Sequence, residues 1–182
     1  DRRKNGTFNI DYVNPLNDKS TLELGSEARI VRTENDYVTE NTGIPVAQRV
    51  SNYTYDIDIY SAYATFGQKF EKFSYQLGGR FESYKAQANL NKGATTFEDK
   101  YFTFYPSAYL TYNLNTSNMF QLSYSRRVDR PSLEQTKPIR EFSTPLVTSL
   151  GNSELRPQFT NSLEVNYTKT FAKSSSVTAG VF

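Results

Sequence analysis

Phe102-Thr-Phe-Tyr-Pro-Ser-Ala-Tyr-Leu-Thr-Tyr-Asn-Leu-Asn115 decides the fold. Phe102, Phe104, Ala108, Leu110, Tyr112 and Leu114 fall on one parity, and Thr103, Ser107, Thr111 and Asn113 on the other. Side chains of a strand alternate between the two faces of its sheet, so this is one apolar face and one polar face of a long strand. The pattern repeats outward along the chain. Phe8, Ile10 and Tyr12 alternate with Asn9 and Asp11, and Leu22, Leu24, Ala28 and Ile30 with Glu23, Glu27 and Arg29. Phe73, Tyr75, Leu77 and Phe81 oppose Gln76, Arg80 and Glu82, and Phe120, Leu122 and Tyr124 oppose Gln121, Ser123 and Ser125. Phe159, Leu163, Val165 and Tyr167 oppose Thr160, Ser162, Glu164 and Asn166. No helical period competes with it.

Composition agrees. Tyr (14) and Phe (13) are abundant in 182 residues, and such aromatics favour pleated surfaces. With 21 Lys and Arg against 19 Asp and Glu, the net charge of +2 is no nucleic-acid footprint. The chain has neither Cys nor His, which excludes disulfide frameworks, zinc sites and His-assisted nucleophiles within it. No catalytic set, metal set or cofactor motif is expected, and the chain reads as a non-enzyme. No apolar run is long enough for a transmembrane helix, and the start, Asp1-Arg2-Arg3-Lys4, has no apolar region of a signal peptide behind it. A transmembrane β-barrel escapes such a hydropathy scan, because only alternate residues face lipid.

Eight strands are expected, and their connections alternate in length. Short ones fall at residues 14–19, 71–72, 115–118 and 172–175, and long ones at 34–52, 89–100 and 129–156. Outer-membrane barrels have short turns at one rim and long loops at the other. The expected architecture is therefore all-β, an antiparallel transmembrane β-barrel in the outer membrane of a Gram-negative bacterium. Its polar face (Glu23, Glu27, Arg29, Arg80, Glu82, Glu164) lines water or a plug. The first and last strands read as stubs of about seven residues, so the eight strands are read as part of a larger barrel. One segment breaks the frame: Tyr53, Tyr55, Ile57 and Ile59 are odd, whereas Tyr60, Ala62, Ala64 and Phe66 are even. Either a β-bulge near Ile59-Tyr60 shifts the phase, or the odd half stands above the membrane.

Phe73-Ser-Tyr-Gln-Leu-Gly-Gly-Arg-Phe-Glu82, Tyr105-Pro-Ser-Ala-Tyr-Leu110, Ser123-Tyr-Ser-Arg-Arg-Val-Asp-Arg-Pro-Ser132 and Gly151-Asn-Ser-Glu-Leu-Arg-Pro157 follow one another in order. Together with Asn161-Ser-Leu-Glu-Val-Asn-Tyr167 they resemble the C-terminal barrel of Bacteroidota-type TonB-dependent outer-membrane receptors. The resemblance implies a 22-stranded barrel of which residues 1–182 form a part, as a single partial-barrel domain with no plug domain and no signal peptide. It implies energised uptake of a large nutrient or siderophore. The partners it implies are outer-membrane lipid and lipopolysaccharide, a plug domain and TonB reached through other parts of the protein, and a surface lipoprotein.

Ligand contacts are expected in the long loops, at Tyr37, Phe97, Arg140 and Phe142, whose rings can stack and whose guanidinium can pair. Arg126, Arg127 and Arg130 form an expected basic cluster at the extracellular rim. They can meet lipopolysaccharide phosphates or an anionic ligand, or pair structurally with Asp129 or Glu134. Two other functions fit the same residues: a non-transporting barrel scaffold of an envelope complex, and a soluble carbohydrate-binding β-sandwich.

Overall fold

The computed structural model describes residues 2–38, 50–91, 94–137, 141–144, 147–171 and 175–182. The strands are β1 (Arg2–Asn17), β2 (Ser20–Val38), β3 (Val50–Lys69), β4 (Phe73–Leu90), β5 (Ala94–Asn115) and β6 (Asn118–Asp129). After β6 come a four-residue helix, α1 (Leu133–Thr136), and two short strands, β7 (Glu141–Thr144) and β8 (Val147–Ser149). The chain ends with β9 (Gln158–Thr170) and β10 (Ser176–Val181). Eight strands form one antiparallel sheet in the order β1-β2-β3-β4-β5-β6-β9-β10, and β7 pairs with β8 apart from it.

The register turns the sequence alternation into horizontal rows. Phe8, Ala28, Tyr60, Ser83 and Phe102 are cross-strand neighbours, and so, one step down on the same face, are Ile10, Ser26, Ala62, Phe81 and Phe104. Further along the sheet Leu110, Leu122, Val165 and Val181 make another row. Large apolar side chains of this face stand open, with Phe8 64% and Phe102 69% exposed. So continuous an apolar face on a sheet is a surface for lipid. Phe104 packs over Gly79, where a Cβ would lie 2.7 Å from the ring, so this glycine admits an aromatic neighbour.

Above this band the outward face changes character. The next row up is Gly6, Ile30, Asp58, Lys85 and Lys100, and the one above it Lys4, Arg32, Asp56, Gln87 and Glu98. At the same height the inward face becomes the core: Tyr53, Tyr55, Ile59, Tyr84, Ala86, Ala88 and Phe97 are buried together, with Leu133 packed against them. The phase change in β3 is thereby explained without a bulge, since its ladders to β2 and β4 run unbroken through Ile59 and Tyr60. Below Tyr60 the outside is lipid and takes the apolar residues. Above it the outside is water, and the apolar residues turn inward.

Two expectations need correction for the same reason. The first strand is no stub: β1 has 16 residues, because polar Arg2–Gly6 pairs with Ile30–Glu34 above the band. Nor is 89–100 a long loop, because β4 and β5 stay paired up to Leu90 and Ala94. Polar outward residues there mark strand in water, where composition resembles that of a loop. Of the two strands read as stubs, β10, with six residues, stays short.

Pro106 shapes the other end of the sheet. Pairing of β5 with β6 begins at Ser107 opposite Ser125, one residue beyond the proline, which has no N–H to give the ladder. The upper half of β5 bonds only to β4, and after Asp129 the chain leaves the wall and folds inward.

Candidate functional site

Arg130 is the first residue after β6, and it turns onto the inner face of the wall. Its Nη2 pairs with Glu82 Oε1, its Nε donates to the Tyr101 hydroxyl at 2.7 Å, and Nη2 reaches the Tyr105 hydroxyl at 3.4 Å. The guanidinium lies 4.4 Å from the centre of the Tyr84 ring, which stacks on Tyr101 at 5.0 Å. Fork and ring face are both used, a combination lysine cannot supply. Glu82 also accepts from Arg80 Nη2 at 2.9 Å, and Arg80 stands 3.6 Å from Glu27, which in turn pairs with Arg29 at 3.1 Å. Charges that the sequence placed on one polar face thus form a chain of alternating sign across β2, β4 and the start of the β6–β9 connection.

Beyond Arg130, Ser132 caps α1 with its side chain accepting from the Gln135 N–H, and Gln135 returns a bond to the cap. The returning limb docks here: the Gly151 N–H donates to the Lys137 carbonyl at 3.0 Å and the Asn152 N–H to the Gln135 carbonyl at 2.7 Å. A Cβ on Gly151 would lie 2.5 Å from the Lys137 carbonyl oxygen, and backbone cannot swing aside. Gly151→Ala is therefore expected to weaken this docking by about 1–3 kcal/mol, read as faster protease cleavage within the connection while the barrel stays folded. Unchanged cleavage would remove the strain argument.

A cavity of about 500 Å³ opens between connection and wall, lined by Tyr55, Ile57, Ile59, Tyr84, Arg130 and Leu133. It has an aromatic and aliphatic floor, with two cations, Arg3 and Arg130, and one acid, Glu134, in its lining. Nearby, above the band, burial raises the Tyr101 phenol to about 12. Asp99 is likewise raised by burial, against the pull of Arg156 at 3.9 Å. Among the described residues no group of acids gathers to hold a metal ion.

The expected site residues are not brought together. Phe97 belongs to a strand: it pairs with Ala88, is buried, and sets its ring 6.2 Å from Tyr55. Its place is in the core, not in an open loop. Tyr37 lies near the end of β2 opposite Ser51, and Phe142 lies in β7 opposite Thr148. Arg140 is outside the described residues. The three rim arginines separate: Arg126 stands 5.0 Å over the Phe159 ring, Arg127 is exposed opposite Thr160, and Arg130 turns inward. The partner of Arg130 is neither Asp129 nor Glu134. Glu134 pairs with Lys137 at 2.8 Å, and the distant Glu82 holds Arg130 because the connection folds back across β5. Glu82 was visible in the sequence only as one polar-face acid among several.

An open antiparallel wall with a lipid-facing band, a charged inner face and an inward-folded connection defines an outer-membrane β-barrel protein. The sequence matches the outer membrane protein beta-barrel family over residues 1–182, and the chain belongs to that family. Among solved structures it is similar to the copper transporter OprC, with 11% identity and a TM-score of 0.65. That likeness covers 98% of this chain and 31% of the transporter, so the chain spans about a third of that structure's length. No curated protein matches the sequence.

Proposed function

We propose that this chain is a wall segment from the C-terminal barrel of a Bacteroidota-type TonB-dependent receptor, working in energised uptake of a large nutrient or siderophore. The observation that carries the reading is the shape of the wall. Eight strands form an arc with charged side chains on its inner face, and that arc corresponds to about a third of a transporter chain. A wide lumen of this kind needs a plug, and a plug needs an energy source to move it. In this reading plug and TonB act through other parts of the protein, a surface lipoprotein is a candidate partner, and the role is binding and passage without catalysis. The cavity beside Arg130 is the described place where cargo would meet the inner face. Copper is the cargo of the similar transporter alone, since a likeness at 11% identity shows the fold.

The test uses the full gene product from outer membranes. The expected result is a heat-modifiable, detergent-dependent protein several times longer than 182 residues, captured by the periplasmic domain of TonB. A barrel that TonB does not capture would instead be the non-transporting scaffold. A full gene product that stays monodisperse without detergent would overturn both readings; the carbohydrate-binding sandwich is already set aside by the single eight-stranded sheet.

A further inference from the structure

The cavity between the β6–β9 connection and the wall departs from the polar character of the inner face around it. Its floor is aliphatic and aromatic: Val31 and Ile57 are direct cross-strand neighbours, and Ile59 and Tyr84 form the next such pair. Leu133 of α1 packs toward the same side chains from the connection. Apolar side chains that face an open cavity favour a ligand whose own apolar surface covers them.

The charges around this floor do not cancel. Glu134 is neutralised by Lys137 at 2.8 Å, and Asp99 on β5 has Arg156 at 3.9 Å. Arg130 ends the inner-face ion chain, in which the guanidiniums of Arg29, Arg80 and Arg130 face only the carboxylates of Glu27 and Glu82. That chain therefore keeps an excess of positive charge. Arg3, on the β1 side of the cavity, stands across from Thr33. Its Nε donates to Asn5 Oδ1 at 3.3 Å, and among the described residues it has no ion-pair partner. The rest of its fork is shaped for a carboxylate.

We propose that this cavity binds one end of the cargo, an aromatic or branched aliphatic group bearing a carboxylate, with its apolar body on Val31, Ile57 and Leu133 and its carboxylate on Arg3. The proposal rests on the uptake reading above and names the chemistry of what is taken up. A neutral ring covers the floor but leaves Arg3 without an anion. A cationic group meets the excess positive charge, and a small hydrophilic anion leaves the floor uncovered. An apolar carboxylate answers both features at once, and the charge-assisted bond to the guanidinium fixes its orientation.

The test is equilibrium dialysis of the full-length protein in detergent against 2-naphthoate, neutral 2-naphthamide and cationic 2-naphthylmethylamine, with protein-free micelles as the blank. The naphthoate is expected to bind about tenfold more tightly than the amide, and the amine more weakly than either. Arg3→Gln is expected to abolish the preference for naphthoate over amide. Leu133→Trp, which fills the cavity, is expected to weaken both about tenfold. Val31→Phe narrows the same cavity from the wall and gives the same reading without touching the connection. Equal binding of naphthoate and amide, a preference for the amine, or a preference that survives Arg3→Gln overturns the site. Binding that neither cavity-filling variant weakens lies elsewhere and overturns it too. Heat-modifiable migration and capture by the periplasmic domain of TonB are read on the same preparations. A captured protein that does not select naphthoate loses this site alone, whereas selective binding without capture keeps the site and removes the uptake reading.

Discussion

Leu122→Arg is expected to cost about 2–4 kcal/mol of folded-barrel stability, while Ser123→Arg, one residue further along β6, is expected to change it by less than about 0.5 kcal/mol. Leu122 sits between Leu110 and Val165 in the middle of the outward apolar band. An arginine there either leaves its charge in hydrocarbon or draws water and headgroups toward it, and both are unfavourable. Ser123 points the other way and stands opposite Glu164 on β9. A guanidinium at 123 enters the polar inner face and gains a carboxylate neighbour, worth at most about 1 kcal/mol where water reaches it. The measurement is the folded, heat-modifiable fraction after refolding each variant of the full-length protein into liposomes across a urea series. Equal losses at both positions would mean that lipid does not lie on the face assigned to it.

That contrast depends on alternation, which is the part of the fold a reader of the sequence can see. Phe102 to Leu114 shows a strand, its two faces and its length without any structure, because lipid outside and water inside impose opposite chemistry on neighbouring residues. The same logic explains where the reading weakens. Above the membrane both faces of the wall meet polar surroundings or core, so Arg2–Gly6 and residues 94–100 lose the outward apolar signal and read as loop. Phe97 reads as an exposed loop residue on that account, and Tyr53 to Ile59 fit two explanations. Which one holds could be decided only by the register, since a bulge and a change of surroundings leave the same trace in sequence. The inner-face ion chain was half legible. Its charges were on the expected face, but the partner of Arg130 lies 48 residues away across a neighbouring strand. Spacing along the chain carries no information about a contact that depends on where Pro106 ends a ladder.

The link between Arg130 and Glu82 is also where the second large effect is expected. Arg130→Ala removes one cation from a carboxylate whose side chain is only 6% exposed, and with it the hydrogen bonds to Tyr101 and Tyr105 and the stacking on Tyr84. Truncating one partner of a buried, hydrogen-bonded charge pair costs about 2–5 kcal/mol. The guanidinium is partly open to solvent and Glu82 keeps Arg80 at 2.9 Å, which places the expected loss near the lower bound, about 2 kcal/mol. The loss should be local. The strands retain their ladders, so the barrel's own unfolding transition is expected to move little, whereas the β6–β9 connection opens about thirtyfold more often. Protease cleavage within that connection, measured under conditions where cleavage follows the open population, reads this directly. Arg130→Lys is expected to recover little of it, because an ammonium cannot fork between Glu82 and two phenols while lying flat on a ring. Adding Glu82→Ala to Arg130→Ala completes a double-mutant cycle. A coupling well above that of an exposed pair would place the hold on the connection in this contact, and a coupling near zero would shift it to Gly151 and the small helix α1.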